Sequence, residues 1–307
     1  MKILITGGAG FIGSHITDRF IEMDHDVVIV DDLSTGKEEY INPKATFHKI
    51  DITDSDSLMK VFEAEKPQIV GHLAAQVNVR VSMVEPDKDA MINIMGSLNV
   101  LKGVVSCNIK KLIFSSTGGA IYGEPENLPV SEKAGENPLS PYGLAKLTVE
   151  NYIKVICNLQ GIPYTILRYA NVYGPRQIVK GESGVIAIFT QRMLEGKIPV
   201  IFGDGSHSRD YVFVSDVVNA NVLALENGNG RTYNIGTGER VDVNEVYQKL
   251  EEHLKSGVKP EYGDEIPGEV HHIALDCGLI EKELGWTPEF NFDEGVKATI
   301  KYYREIV

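Results

Sequence analysis

Thr6-Gly7-Gly8-Ala9-Gly10-Phe11-Ile12-Gly13 follows the apolar run Ile3-Leu4-Ile5 and opens a stretch whose Ile12, Ile16, Phe20 and Met23 share one helical face. This reads as strand, glycine turn, helix. A Cβ at Gly7 or Gly10 would obstruct the tight turn and keep a pyrophosphate away from backbone N–H groups, while Gly13 lets the helix pack close to the strand. The helix N-terminus then turns its partial positive charge toward the phosphates. The spacing is G-x-x-G-x-x-G.

A second apolar run, Asp26-Val27-Val28-Ile29-Val30-Asp31-Asp32, ends in acid 18 positions after Gly13, near the interval of about 20 found in dinucleotide-binding units. A carboxylate there accepts ribose hydroxyls and repels a 2′-phosphate, so NAD is favoured over NADP. Lys37 is the nearby cation that argues the other way. The plainer alternative is that Asp31 and Asp32 only end a strand.

The 307 residues allow one large core, or a core with a smaller lobe. A net charge of −13 argues against nucleic acid or an anionic membrane as the main partner. A polyanionic ligand must then be held by a few local cations and backbone amides. Cys107, Cys157 and Cys277 are far apart and form no C-x-x-C, as expected of buried apolar side chains in a reducing cytosol. The first strand begins at Lys2, leaving no room for a cleavable signal, and no apolar run reaches membrane-spanning length. The expected location is the cytoplasm. The eight histidines show no ligand spacing, and His271-His272 would diverge in a strand, so no metal is expected.

Further strands are expected at Thr46–Ile50, Ile69–Leu73, Leu112–Phe114 and Tyr164–Leu167. Helices are expected at Asp56–Glu65, at Tyr142–Leu159 and along Ala90, Ile94, Leu98, Leu101 and Val105. Repeated βα units imply a Rossmann-type doubly wound parallel sheet. After Asn171 the alternation breaks. Val185–Leu194, Asp216–Leu225, Val243–Leu254, Cys277–Leu284 and Phe292–Ile306 read as helices, and Thr232–Ile235 as a strand returning to the sheet. The fold class is therefore α/β with a smaller mixed C-terminal substrate lobe. Residues 1–172 and 209–235 are assigned to the NAD-binding domain, and 173–208 and 236–307 to the lobe, with the ligand in the cleft between them.

Tyr142-Gly143-Leu144-Ala145-Lys146 puts a phenol and an ammonium on one helical face. An ammonium and a cationic nicotinamide both favour the phenolate, making it a usable base toward an alcohol. Tyr40-Ile41-Asn42-Pro43-Lys44 also fits Y-x-x-x-K, but Pro43 disfavours a helix there, and it reads as a chance match. Phe114-Ser115-Ser116-Thr117-Gly118-Gly119-Ala120-Ile121-Tyr122-Gly123 follows a strand end. Its hydroxyls either meet a substrate alcohol beside Tyr142 or bond their own backbone.

With TGGAGFIGSH at 6–15, DDLSTG at 31–36, HLAA at 72–75, SPYGLAK at 140–146, LRYANVYGPRQ at 167–177 and FGDGSHSRDYVFVSDV at 202–217, the chain resembles the extended short-chain dehydrogenase/reductase family over nearly its whole length. It is most similar to the UDP-hexose 4-epimerases within that family. The resemblance implies tightly held NAD and reversible C4 epimerisation of a UDP-hexose through a 4-keto intermediate. It assigns the cofactor to Gly7, Gly10, Phe11, Ile12, Gly13, Asp31, Asp32, Leu33, Ser34, Thr35, Gly36, Asp51, Ile52, Leu73, Ala74, Ala75, Asn93, Ser115, Tyr142, Lys146 and Tyr169. The implied catalytic set is Thr117, Tyr142 and Lys146, with Ser116 as the other choice of hydroxyl. Asn171, Val200, Phe202, Arg209 and Ile273 join Thr117 and Tyr142 on the substrate side. Ile266-Pro267-Gly268-Glu269 lacks the arginine that epimerases often carry there. Gly118-Gly119 stands where related dehydratases and decarboxylases carry acids. A homodimer through the helices around Ala90–Ser106 and Tyr142–Leu159 is also implied. The competing readings are another nucleotide-sugar enzyme of the family and a non-catalytic NAD-binding regulator.

Overall fold

A computed structural model of the chain describes residues 1–179, 184–265 and 270–306. Six strands come first: β1 (Lys2–Thr6), β2 (Asp26–Asp31), β3 (Thr46–Lys49), β4 (Ile69–His72), β5 (Lys111–Thr117) and β6 (Tyr164–Tyr169). Arg231–Ile235 returns beside β6, completing a seven-stranded sheet in the order Arg231–Ile235, β6, β5, β4, β1, β2, β3. Every pairing in it is parallel, with Thr6 opposite His72 and Thr117 opposite Tyr169. Alternation along each strand feeds two apolar layers. Ile3 and Ile5 face a layer with Ile16, Phe20 and Val217, whereas Leu4 faces one with Phe62, Val100, Val149 and Ile153. The strand order reverses between β1 and β4, and open α/β sheets bind ligands at such a point, beyond the strand C-termini.

A third apolar cluster joins the helices Val185–Leu194, Val243–Leu254 and Phe292–Ile306 through Ile186, Phe189, Val246, Leu250, Val296 and Ile300. Tyr211 and Phe213 also enter it, and Val212 enters the first sheet layer. The chain therefore crosses between sheet and lobe at that strand.

Two expectations are corrected. The long helix through Ala90 and Val105 is three pieces: an α-helix Pro86–Ala90, a π-helical stretch Met91–Gly96, and an α-helix Ser97–Ser106. Gly96 is pressed against Ile52, whose Cδ1 would lie 2.6 Å from an added Cβ. Asn93 is turned inward within the same stretch, and π-turns frequently mark such functional positions. His271-His272 is not a strand but a single bridge of His272 to Ser208, because the His271 N–H goes to the Glu124 carboxylate (2.6 Å) rather than to a neighbouring strand. The stretch 266–269 lies outside the described residues. Among the described residues, no helix is long and apolar enough to cross a membrane.

Candidate active site

The glycine turn leaves β1 at Gly7, whose φ of +74° lies in the left-handed region. An added Cβ there would stand 2.7 Å from the Ala74 nitrogen, and one at Gly13 would stand 2.1 Å from the Gly7 carbonyl oxygen. The turn is thus pressed against both β4's exit and its own helix. The helix Phe11–Glu22 begins with no side-chain cap and no acid in its first turn. Its leading N–H groups, on Phe11, Ile12 and Gly13, are the donors a helix leaves without internal partners, and they suit an anion.

Asp31 does two tasks. Its Oδ2 accepts the Ala9 N–H (3.0 Å) and its Oδ1 the Leu33 N–H (2.9 Å), which ties β2's end to the glycine turn. Burial raises its pKa above the ordinary carboxylate value, offset by those two bonds. An ionised carboxylate has about four acceptor sites, so it can still receive ribose hydroxyls. Gly36 closes over it, since a Cβ there would meet Asp31 Oδ1 at 2.7 Å. Asp32 is exposed and accepts from Ser34. Thr35 follows Ser34 in the same loop. Asp51, also exposed, accepts the Thr53 N–H, and Asn99 Nδ2 donates to the carbonyl of the buried Ile52. The uncapped helix, the glycine cradle and the acid at β2 together fit a dinucleotide.

A buried chain of hydrogen bonds backs the other side of the cradle. Thr6 Oγ1 accepts the N–H groups of Leu73 and Ala74 (3.2 Å each) and meets His72 Nδ1 at 2.7 Å. His72 Nε2 lies 2.8 Å from Ser97 Oγ, which donates to the Asn93 carbonyl. Thr6 therefore donates to Nδ1, and His72 carries its hydrogen on Nε2. Burial holds His72 neutral, with its pKa pushed down to about 3. Asn93 gives its amide to Gln76 O and Asp89 Oδ1 (2.9 Å each) and accepts the Gln76 N–H. Its side chain thus fixes the segment after Ala75.

β5 sorts its hydroxyls by alternation. Ser116 points beneath the sheet and donates to Glu150 Oε1 (2.6 Å), a carboxylate also held by Arg168 through Nε (2.9 Å) and Nη2 (2.7 Å). Ser115 and Thr117 point the other way. Ser115 Oγ meets Tyr169 Oη at 3.0 Å, and the Thr117 hydroxyl lies beside the Tyr142 phenol, where it favours the ionised form. Of the two candidate hydroxyls, Thr117 faces the cleft. Ser140 caps the helix Pro141–Gln160 through the Gly143 N–H (3.2 Å), which sets Tyr142 in its first turn. Lys146 Nζ donates to the Ser115 carbonyl (3.0 Å) and stands 4.9 Å over the Phe114 ring.

The electrostatics differ from the expectation in one respect. Burial raises the Tyr142 pKa well above the ordinary phenol value, the Asp89 carboxylate adds to it, and the Thr117 hydroxyl opposes. Burial also pulls Lys146 down to about 8 against the pull of Asp89 and Glu150. The ammonium is engaged with the Ser115 carbonyl, so within the protein alone it does not acidify the phenol.

On the lobe side, Asn171 Oδ1 lies 3.2 Å from where a Cβ on Gly119 would stand, close to Thr117. Arg209 Nη1 donates to the carbonyls of Ser208 (3.0 Å) and His271 (3.1 Å). Val200 is half-buried, and Phe202 is exposed with the Arg80 guanidinium 5.8 Å over its ring. Ile273 is 1% exposed and belongs to the first core layer, its N–H bonded to Ser208 O. Tyr40 meets Tyr302 on the C-terminal helix (3.3 Å). Sequence reading missed Asp89, Gln76, Glu150 and Arg168. Asp89 and Glu150 lie on helices, Gln76 lies in the loop after β4, and Arg168 lies inside the LRYANVYGPRQ stretch; their place in the site emerges only when the fold brings them together.

A parallel sheet with this cradle, and with Thr117, Tyr142 and Lys146 at one mouth of it, defines a nicotinamide-dependent enzyme of the extended short-chain dehydrogenase/reductase kind. Residues 3–236 match the family described as "NAD dependent epimerase/dehydratase family". The chain is 38% identical over 310 residues to the UDP-glucose 4-epimerase of Mycolicibacterium smegmatis, covering 99% of both chains. The crystal structure of UDP-glucose 4-epimerase with UDP-glucose from Thermotoga maritima superposes with a TM-score of 0.98 at 47% identity, over 100% of this chain and 99% of that one. That of the Thermus thermophilus UDP-glucose 4-epimerase complex with NAD gives 0.95 at 38% identity, over 100% of both chains. This chain belongs to the NAD dependent epimerase/dehydratase family, and its cofactor is NAD.

Proposed function

We propose that the protein interconverts UDP-glucose and UDP-galactose by epimerisation at C4. The observation that carries this reading is the Thr117–Tyr142 pair at β5's C-terminal end, followed by Gly118-Gly119 and no acid. A base is present for removing one hydroxyl proton, and nothing beside it would expel water or assist loss of carbon dioxide. NAD, when bound, supplies the acceptor and donor of hydride.

The chain's own residues do the rest. Tyr142 Oη takes the proton of the sugar 4-hydroxyl and later returns it. Thr117 Oγ1 holds that hydroxyl against the phenol. Lys146, kept between Ser115 O and the Phe114 ring, orients the nicotinamide ribose. Ser115 and Tyr169, bonded to each other, would help to hold the nicotinamide of bound NAD. Arg209 and Asn171 anchor the diphosphate, and Val200 and Phe202 pack on the uracil. The hexose can then turn over between two hydride transfers without leaving. The division of labour is residues 1–172 and 209–235 for cofactor, and 173–208 and 236–307 for nucleotide sugar.

We also propose a cytoplasmic homodimer. Met91, Met95, Leu144, Tyr152, Val155 and Leu159 leave large apolar side chains exposed along the two helical segments named for the contact. A monomeric mass at micromolar concentration contradicts it. The function is tested by incubating purified protein, without added cofactor, with UDP-galactose and UDP-N-acetylgalactosamine. UDP-glucose is expected from the first. No conversion of either, or consumption of added NADH in proportion to substrate, overturns the reading.

A further inference from the structure

On the rim of the lobe, three segments converge at one point. His207 precedes the short strand Ser208–Arg209, Glu265 follows the strand Glu261–Gly263, and His271 opens the segment that bridges back to Ser208. His207 Nε2 lies 3.3 Å, and His271 Nε2 3.5 Å, from the same atom, Glu265 Oε1. The two rings meet edge to face, with centroids 4.7 Å apart. All three ligand atoms lie within 4.8 Å of one another. Tetrahedral zinc bonds of about 2.0–2.1 Å set neighbouring ligand atoms about 3.3 Å apart. Two of the separations already match ligands around a common centre.

A second observation concerns Glu124. Its Oε1 accepts the His271 backbone N–H (2.6 Å) and lies 3.0 Å from His271 Nδ1. Donation from Nδ1 to this carboxylate leaves Nε2 as the ring atom that faces Glu265 and His207. Outer carboxylates orient metal-binding histidines in this way.

We propose that His207, Glu265 and His271 bind a divalent transition metal of the zinc class, with Glu124 orienting His271 and water completing the coordination. The sequence hides the site because 64 positions separate the two histidines, and it is the pairing of Ser208 and Arg209 with the His271–Ile273 segment that brings them together. The bound ion would fasten the His207 and His271 segments, which flank Arg209, to each other. A second group, Glu252, His253 and Asp293, does not qualify. Lys297 (2.7 Å) and Lys249 (3.5 Å) already place two ammonium groups on the Asp293 carboxylate.

The test is titration of the full-length, tag-free, chelator-stripped protein with Co2+, followed by competition with Zn2+. One equivalent is expected, with visible absorption of a nitrogen and oxygen site that Zn2+ abolishes. His207→Ala and His271→Ala should each weaken binding at least about 100-fold, and Glu124→Ala about 10- to 100-fold. His253→Ala should leave it unchanged. The ligand side chains reach solvent, so the stripped variants should melt with wild type, and only wild type should gain thermal stability from Zn2+. Failure of wild type to bind Co2+ stoichiometrically at micromolar concentration overturns the proposal. So does equal binding by the histidine variants, or loss of binding in His253→Ala.

Discussion

A methyl group on Gly13 is the sharpest perturbation of the cofactor cradle. The new carbon would stand 2.1 Å from the Gly7 oxygen, 2.9 Å from the Gly7 carbonyl carbon and 3.0 Å from Gly8 Cα. Non-bonded heavy atoms rest about 3.5 Å apart or more, so turn and helix must separate by more than about 1 Å. Every opposing atom is main chain, and no rotamer relieves the contact. Overpacking of this sort costs about 1–3 kcal/mol, and a misplacement of about 1 Å in a positioning element costs about 100-fold in what it positions. Gly13→Ala is therefore expected to melt several degrees early and to purify with little NAD, with its affinity for added NAD weakened about 100-fold. The assay is NAD content after purification, binding of added NAD by calorimetry, and thermal melting. Gly135→Ala is the control, because nothing lies within 4 Å of its added Cβ. A Gly13→Ala protein with wild-type NAD content and melting temperature would refute the packing argument.

Other outcomes follow from the buried charges. Arg168→Met takes the close guanidinium from Glu150, which is fully buried and keeps the Ser116 hydroxyl (2.6 Å) and Lys154 Nζ (3.4 Å), and should cost about 3–5 kcal/mol in denaturant unfolding. Arg168→Met with Glu150→Leu should recover much of that loss. Asp89→Asn removes the charge that holds the Tyr142 and Lys146 pKa values up. The acid limb of the kcat/KM pH profile, where the phenol must lose its proton, should move to lower pH by up to about one unit. An unmoved limb would mean that Asp89 does not act on the base. Thr117→Ala should lower kcat by at least about 10-fold with NAD content unchanged, whereas Ser116→Ala should act on melting temperature more than on kcat.

The sheet was legible because its strands are buried on both faces, so Ile3–Ile5, Val27–Val30 and Ile166–Leu167 stand out as apolar runs. The glycine turn was legible because its spacing has a steric cause. Breaks in helical pattern were not. The π-helical stretch at Met91–Gly96 depends on Ile52 pressing on Gly96 and on Asn93 reaching Gln76, contacts between residues far apart in the chain. The choice of Thr117 over Ser116 depended on strand register and on Glu150 lying beneath the sheet. The spacing of Tyr142 and Lys146 puts them on one helical face, but it carries no sign of the burial around them or of Asp89. Burial and Asp89 outweigh an ammonium that is already bonded to Ser115 O.

The base itself is tested most directly by following its ionisation. Ultraviolet difference absorbance of the wild-type protein minus Tyr142→Phe reports the Tyr142 phenolate as pH is raised, with NAD bound and with NAD stripped. The stripped protein should hold the phenol protonated beyond the ordinary range, and the NAD complex should ionise near neutrality, at about pH 7–8. A phenol that stays protonated above about pH 9 in an NAD complex still turning over UDP-galactose would contradict the account.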